Sequence, residues 1–265
     1  MGLLVWSLLF LLYFQFTLQN KHMNIALIGY GKMGKAIEQI ALQQGHHIVL
    51  KINSNNADQL DHLDKYAIDV AIEFTNPSSA KENVMRCLKK QIPVVCGTTG
   101  WKEHIGSVEL ATAQYNTAFL IASNFSIGVN LFFELNSYLA NLMQNHTDYT
   151  IQIKETHHTE KKDAPSGTAI SLAEQIIAQN ESKKHWHLGA TNDNTIIPIE
   201  AIRQDPAPGT HEITYSSSID DISIKHTAHN RNGFALGAVL AAEFIQNKKG
   251  IFTMKDVLFK NNSLF

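Results

Sequence analysis

The sequence predicts an α/β protein in two parts, a parallel sheet with helices on its faces followed by an α+β region built on a second, more open sheet. Three observations predict it. Short apolar strands alternate with amphipathic helical stretches as far as Ala122. A glycine-rich turn stands between the first strand and the first helix. From about Asn130 the texture changes to one long apolar helix and then to strands with period-two alternation.

In chain order, the first strand is Ile25 to Ile28, followed by a helix from about Met33 to Gln44 and a strand from Ile48 to Ile52. Val70 to Phe74 is the third strand, a helix runs from about Ser78 to Lys90, and Pro93 to Cys96 and Phe119 to Ala122 are further strands. On the long helix, Phe132 and Phe133 are expected in the core. Thr150 to Lys154, His211 to Ser216 and Asp221 to Ala228 alternate as half-buried strands, and a helix spans about Ala169 to Gln179. Ser182 to Asn194 reads as a polar loop, and Asp205-Pro-Ala-Pro-Gly209 is a turn cluster. A last helix, about Gly233 to Asn247, is rich in Ala, Leu and Val and suited to burial. There is no internal repeat or low-complexity tract.

The chain has 265 residues, 44% of them hydrophobic, enough for one large or two modest cores without covalent staples. A formal net charge of -2, with 17% charged residues, gives no general attraction to nucleic acid or anionic membrane and favours a small-molecule role. Two cysteines, Cys87 and Cys96, stand in no ligand spacing, so they are expected as reduced core thiols and no metal site is expected. Residues Leu3 to Leu18 are almost wholly apolar. Three readings stand: a start assigned too early, with Met23 the true one; a membrane anchor somewhat shorter than the usual span of about 20 residues; or a secretory signal lacking a basic start. If the run is an anchor, Lys21, His22 and Lys32 on its C-terminal side would favour keeping the globular part cytoplasmic.

Gly29-Tyr30-Gly31-Lys32-Met33-Gly34 follows an apolar strand and opens a helix, the context of a dinucleotide-binding turn of Rossmann type. The first glycine permits the tight turn, the second lets backbone N–H groups approach a diphosphate, and the third allows close packing of helix on strand. The helix N-terminus adds partial positive charge. At the end of the second strand, where an acid usually binds the adenosine ribose, stands Asn53. An amide does not repel a 2′-phosphate, so the expected cofactor is NADPH or NADH, with Lys51 a weak contributor.

Glu155-Thr-His157-His158-Thr159-Glu-Lys161-Lys-Asp163-Ala-Pro-Ser166-Gly167-Thr168-Ala169 concentrates several kinds of chemistry. Ser166, Gly167 and Thr168 open a helix and form an anion site suited to a carboxylate, while His157 and Lys161 supply protons. The His pair lies in no metal-ligand spacing. Arg203, Lys225, His226 and Arg231 are candidates for extra positive potential, and Trp101 for a packing anchor.

With that segment, Glu73-Phe-Thr-Asn-Pro77, Cys96-Gly97-Thr98-Thr99-Gly100 and Ala122-Ser123-Asn124-Phe125-Ser-Ile-Gly-Val-Asn130 stand in the order of one family. From Met23 nearly to its end the chain resembles the 4-hydroxy-tetrahydrodipicolinate reductase (dihydrodipicolinate reductase) family, and HHxxKxDAPSGTA is specific to it. The resemblance implies a nucleotide-binding domain over 23–129 and 231–265, with 1–22 as an apolar extension, and an inserted substrate-binding and tetramerisation domain over 130–230 carrying an open mixed sheet. It implies a cytoplasmic homotetramer that reduces a small dicarboxylate with NAD(P)H in the diaminopimelate route to lysine. Carried over by residue, it makes His157 the acid/base, Lys161 the proton donor, and His158, Ser166, Gly167 and Thr168 the substrate group. Gly97, Thr98 and Thr99, with Ala122, Ser123, Asn124 and Phe125, match the nicotinamide side of the cofactor site. Thr159 departs from the family pattern, which commonly has Arg there. Two other readings of the residues stay open: a different Rossmann amino-acid dehydrogenase, and a non-catalytic nucleotide-binding sensor.

Overall fold

The computed structural model describes residues 22–230 and 232–259. The apolar run Leu3 to Leu18 and Arg231 lie outside the described residues. Strands are β1 (Asn24–Ile28), β2 (His47–Ile52), β3 (Val70–Glu73), β4 (Val94–Cys96), β5 (Ala118–Ile121), β6 (Thr150–His157), β7 (His185–Leu188), β8 (Ile196–Arg203), β9 (Gly209–Ser216), β10 (Asp221–Ala228) and β11 (Gly250–Phe252). Helices are α1 (Lys32–Gln43), α2 (Pro77–Lys89), α3 (Ile105–Gln114), α4 (Ile127–Met143), α5 (Gly167–Gln179), α6 (Asn232–Ile245) and α7 (Met254–Leu258). Among the described residues no helix is long and apolar enough to cross a membrane.

The chain divides into two compact units, one of residues up to 121 with 239–252, the other of 122–238 with the residues from 253. The border falls a few residues before the expected one at 129/130 because β5 ends at Ile121 and α4 contributes Phe132, Ala140 and Met143 to the core on the second sheet. For the same reason α7, whose Lys255 pairs with Glu134 of α4, belongs with the second unit.

The first unit is a six-stranded parallel sheet in the order β11-β5-β4-β3-β1-β2. Strands β1 and β3 are buried over nearly their whole length, so they read as continuous apolar runs rather than alternating ones. Helix α2 begins where Asn76 accepts from the backbone N–H groups of Ser78 and Ser79 with Pro77 at the first helical position, which satisfies donors that the helix cannot. Trp101 is 1% exposed, meets Phe119 edge-on at 6.4 Å and donates its indole N–H to the Thr98 carbonyl at 2.7 Å, a packing anchor as expected. Cys87 and Cys96 are buried free thiols, and burial, then the charge of Glu73, pushes both up, Cys87 to about 12.

The second unit is a five-stranded mixed sheet in the order β10-β9-β6-β8-β7, with β6, β8 and β7 parallel and β9 and β10 antiparallel to their neighbours. Its inner face presents Ile151, Ile153, Ile197, Ile199, Ile213 and Tyr215 to Leu172 and Ile176 of α5 and Phe132 of α4. Phe132 is buried and Phe133 packs partly against the same core. The segment expected as the polar loop Ser182 to Asn194 contains β7, an edge strand of His-Trp-His-Leu. Only Trp186 of the four is even half-buried, so no apolar alternation marks it. Helix α6 is buried through Ala235, Ala238, Val239, Ala241, Ala242 and Ile245, in keeping with its composition.

Candidate active site

In the first unit the glycine turn is shaped by Phe74. Gly29 has φ +98°, a left-handed conformation that favours glycine, and a Cβ there would lie 1.9 Å from the Phe74 carbonyl oxygen. A Cβ on Gly97 would lie 2.1 Å from the Phe74 ring, so that residue is wedged between two glycine turns. Gly34 packs on the Gly29 carbonyl, at 2.4 Å from its own Cβ position, whereas a Cβ on Gly31 would meet nothing within 4 Å. The backbone N–H groups of Gly29 and Tyr30 donate to Ile52 at 2.9 Å each, tying the turn to β2. Helix α1 then starts at Lys32 with no side-chain cap, so its first N–H groups are available to an anion.

A cavity of about 520 Å³ adjoins this turn, lined by Gly29, Tyr30, Gly31, Asn53, Ser54, Phe74, Thr75 and Asn76 among others. The open second glycine and the uncapped helix beside it fit the diphosphate of a dinucleotide. Lys32 and Met33 are the first residues of α1. Asn53 accepts through Oδ1 from the Asn55 N–H at 2.8 Å, so its remaining polar group is the NH2, a donor. A donor suits a ribose hydroxyl and a 2′-phosphate alike. Lys51 is held by Glu38 at 3.0 Å and sits 5.0 Å from the centroid of the Tyr30 ring, whose hydroxyl also donates to Glu38. Beyond β4, Thr98 is buried and its hydroxyl accepts from Thr75 N–H at 2.8 Å, while Thr99 is exposed.

In the second unit, Asn124 Oδ1 accepts from Ser126 N–H at 2.9 Å, and Asn130 donates to the carbonyls of Asn124 and Ser126 at 3.0 and 2.9 Å. These side chains build the turn that opens α4. Phe125 is buried with its carbonyl against Gly237, where a Cβ would lie 1.8 Å away; Ala122 is half-buried and Ser123 exposed.

The His-His segment begins on β6, where period-two alternation places Ile151, Ile153, Glu155 and His157 on the buried face. His157 Nδ1 lies 3.5 Å from Glu155 Oε2, and His211 Nε2 of β9 lies 3.6 Å from the same oxygen and 3.2 Å from Ser166 Oγ. The two rings meet edge-on at 5.0 Å. His158, half-buried, donates its backbone N–H to Ala207 at 2.8 Å, and Thr159 donates its hydroxyl to Asp205 at 2.5 Å, so the loop is tied down where it leaves the strand. Lys161 Nζ is gripped by both oxygens of Asp163 at 2.9 and 2.8 Å. Ser166, 2% exposed, caps α5 by accepting from Ala169 N–H at 3.2 Å. Gly167 is exposed, and a Cβ there would meet nothing within 4 Å, which leaves the N-terminus of α5 open to an anion.

Glu155, His157 and His211 offer donor atoms within 4.8 Å of one another, close enough to chelate a metal ion. The carboxylate is already matched by Arg203, whose Nη2 lies 3.1 Å from Oε1, and that cation opposes a dication in the same place. Of the other cations, Lys225 pairs with Glu212 at 3.5 Å on the surface, and His226 packs against Phe132 with centroids 6.0 Å apart.

Burial first, opposed by Glu155 and aided by His211, Lys161 and Arg203, lowers His157 to about 4. Burial would raise Glu155, but hydrogen bonds from His211 and Ser166 and the charge of His157 bring it to about 2. Both folded values lie below the ordinary ones of 6.5 and 4.5, so both groups bind protons more weakly folded than unfolded. Stability from His157 is therefore complete above pH 6.5 and lost as pH falls through about 4, and that from Glu155 is lost between pH 4.5 and about 2. Thermal unfolding measured across this range should show the upper limb in the parent protein and a flattened one in His157→Gln. Equal slopes in the two proteins contradict this assignment.

Sequence reasoning assigned no role to Glu155, Asp163, Gly209 or His211 and left Arg203 as a weak candidate. Glu155 was within reach, since it stands two residues before His157 on one strand face. His211 and Arg203 come from the register, which pairs Glu155 with His211 and His157 with Arg203 across neighbouring strands. Gly209 matters by closeness, a Cβ there lying 3.1 Å from His157 Nε2.

Residues 23–125 match the family model described as the N-terminus of dihydrodipicolinate reductase, and residues 128–258 the one described as its C-terminus. A 4-hydroxy-tetrahydrodipicolinate reductase of Christiangramia forsetii is 51% identical over 242 residues, covering 90% of this chain and 100% of the relative. One from Alkaliphilus oremlandii is 36% identical over 243 residues, covering 89% and 98%. Among solved structures, a dipicolinate-bound dihydrodipicolinate reductase from Paenisporosarcina sp. TG-14 aligns with a TM-score of 0.74 at 23% identity, covering 88% of this chain and 97% of that one. An amine dehydrogenase from Mycobacterium smegmatis aligns over 88% of this chain and 95% of its own with a TM-score of 0.61 at 10% identity, a likeness of fold.

Proposed function

The chain belongs to the dihydrodipicolinate reductase family of nicotinamide-dependent oxidoreductases, and we propose that it reduces 4-hydroxy-tetrahydrodipicolinate to tetrahydrodipicolinate with loss of water, in the diaminopimelate route to lysine. The observation that carries the residue assignment is the segment from His157 to Thr168, where proton-handling side chains and an open helix N-terminus are joined through Glu155 and Ser166. The dipicolinate of the Paenisporosarcina enzyme, a pyridine dicarboxylate, supports a substrate of the same class here.

When bound, the reduced nicotinamide supplies hydride to carbon 4 of the substrate ring. Gly29, Gly31 and the first turn of α1 would hold the diphosphate, and Asn53 would bond the adenosine ribose. The backbone N–H groups of Gly167 and Thr168 hold a substrate carboxylate, with Ser166 fixing the cap, and His158 is assigned to the same substrate group. As the dicarboxylate enters, it takes Lys161 over from Asp163. The leaving hydroxyl needs one proton to depart as water, and Lys161 Nζ is its donor. His157 is neutral at pH 7, and its nearby carboxylate favours a proton on Nδ1, so Nε2 is the atom that accepts and returns a proton.

Purified protein should oxidise NAD(P)H only when given the product of the preceding synthase reaction; cofactor binding without oxidation would favour a sensor. Because Asn53 offers a donor, NADPH should serve at least as well as NADH in steady-state kinetics. A preference for NADH of about a hundredfold, near 2.7 kcal/mol, would overturn that reading of Asn53. The assembly expected from the family is a cytoplasmic homotetramer, checked by light scattering on the purified protein.

A further inference from the structure

Glu155 and Arg203 make neither the hydride nor the proton step, yet between them they bind most of the loop that does. Arg203 Nε donates to the Lys161 carbonyl at 3.2 Å, Nη2 to the Asp163 carbonyl at 2.6 Å and to Glu155 Oε1 at 3.1 Å, and Nη1 to the Ile202 carbonyl at 2.9 Å. Glu155 is fully buried and takes the Ser166 N–H on both oxygens at 3.0 and 3.1 Å. A desolvated carboxylate survives in such a place only when donors and a cation surround it. A guanidinium is a planar fork that reaches several acceptors at once; an ammonium is a point charge that does not.

We propose that Glu155 and Arg203 form a positioning pair that holds Lys161 and the Gly167–Thr168 amides in fixed relation to His157. It rests on the function proposed above. The pair spans the loop, Arg203 gripping its middle and Glu155 its end, while β6 and β8 pair His157 directly with Arg203. The charged and titratable groups facing His157 are Glu155 on its own strand, Arg203 on β8, His211 on β9 and Lys161 on the loop. Glu155 and Arg203 act on that ring with opposite sign, so their removal moves its titration in opposite directions.

The test uses Glu155→Gln, Arg203→Gln and Arg203→Lys in the full chain, with three readouts: amide hydrogen exchange over residues 161–168, the split of kcat from KM, and NMR titration of the His157 ring. In both glutamine variants loop exchange should quicken by at least about tenfold while β6 and β9 stay protected, and kcat/KM should fall by about 10²-fold, the scale of an ångström of misplacement. The His157 ring should titrate lower than in the parent in Glu155→Gln and higher in Arg203→Gln. Arg203→Lys keeps the charge without the fork, so it should leave the titration in place and still free the loop. Parent-like loop exchange in Arg203→Lys, or exchange quickened evenly across the second unit, would overturn the proposal. Should Glu155→Gln fail to fold, the two Arg203 variants decide it. Exchange and titration need no turnover, so a protein inactive on the assigned substrate would count against the function and leave this test intact.

Discussion

Lys161→Ala and His157→Ala are each expected to lose about 10²-fold or more in turnover, the usual worth of general acid–base catalysis. The two losses should have different companions. Lys161 stands on the loop with its charge shared by the exposed Asp163 and its carbonyl held by Arg203, so truncating the side chain removes a proton donor and leaves the backbone in place. Its unfolding midpoint should hardly move, because an ion pair as exposed as Lys161–Asp163 is worth little. His157 is 7% exposed and packs edge-on against His211, so its alanine variant should lose stability as well, by about 1–3 kcal/mol for the cavity and the lost contact with Glu155. Turnover measured beside thermal unfolding separates the two. A small primary amine added to Lys161→Ala should restore part of the rate, whereas no such rescue is expected for a variant that has only lost packing. Near-normal turnover in both variants would remove them from the mechanism.

Gly29→Ala should be the costliest change in the first unit, and Gly31→Ala its instructive partner. At Gly29 a methyl group meets the Phe74 carbonyl at 1.9 Å in a backbone conformation of φ +98°. The strain of that conformation and the forced shift of β3 together cost about 2–4 kcal/mol. At Gly31 the same methyl meets nothing within 4 Å, so the unfolding midpoint of Gly31→Ala should match the parent's. Its cofactor affinity should nevertheless drop sharply, because the open space there is where the diphosphate approaches the backbone. Denaturant unfolding and cofactor titration on the two variants check this. A Gly31→Ala protein that binds NAD(P)H as tightly as the parent would move the diphosphate elsewhere in the cavity.

The sheet of the first unit was legible because each buried parallel strand is a short apolar run between turn residues, and the glycine turn announced the first crossover. The second sheet was legible only in part. The strand read as Thr150 to Lys154 runs on to His157, and Glu155 and His157 keep its period-two burial with polar side chains, which an apolar pattern does not register. β8 begins with two isoleucines and carries Pro198, which lowers its strand signal. In the first sheet, β11 has only three residues, too few for a pattern to register. The loop chemistry was visible because His157, Lys161 and Ser166 are close in sequence. Its supports were not, since Arg203 and His211 lie 40 or more positions beyond Glu155 and meet it through a register that no local pattern encodes. Thr159, where the family commonly has Arg, ties the loop to Asp205 through its hydroxyl.

The first unit is written in two pieces, since β5 pairs on one side with β4 and on the other with β11, whose residues Gly250 to Phe252 are made well over a hundred positions later. Until a ribosome has delivered β11, the nascent sheet presents the β5 edge with its N–H and C=O groups unpaired, and Val239, Ala242 and Ile245, buried residues of the same unit, have yet to be made. His46 waits longer still, 197 positions, for Glu243, which it meets at 2.9 Å. A nascent chain of this protein therefore carries a sticky, unfinished edge through the synthesis of the entire second unit, so the speed of translation and the presence of chaperones bear on its yield.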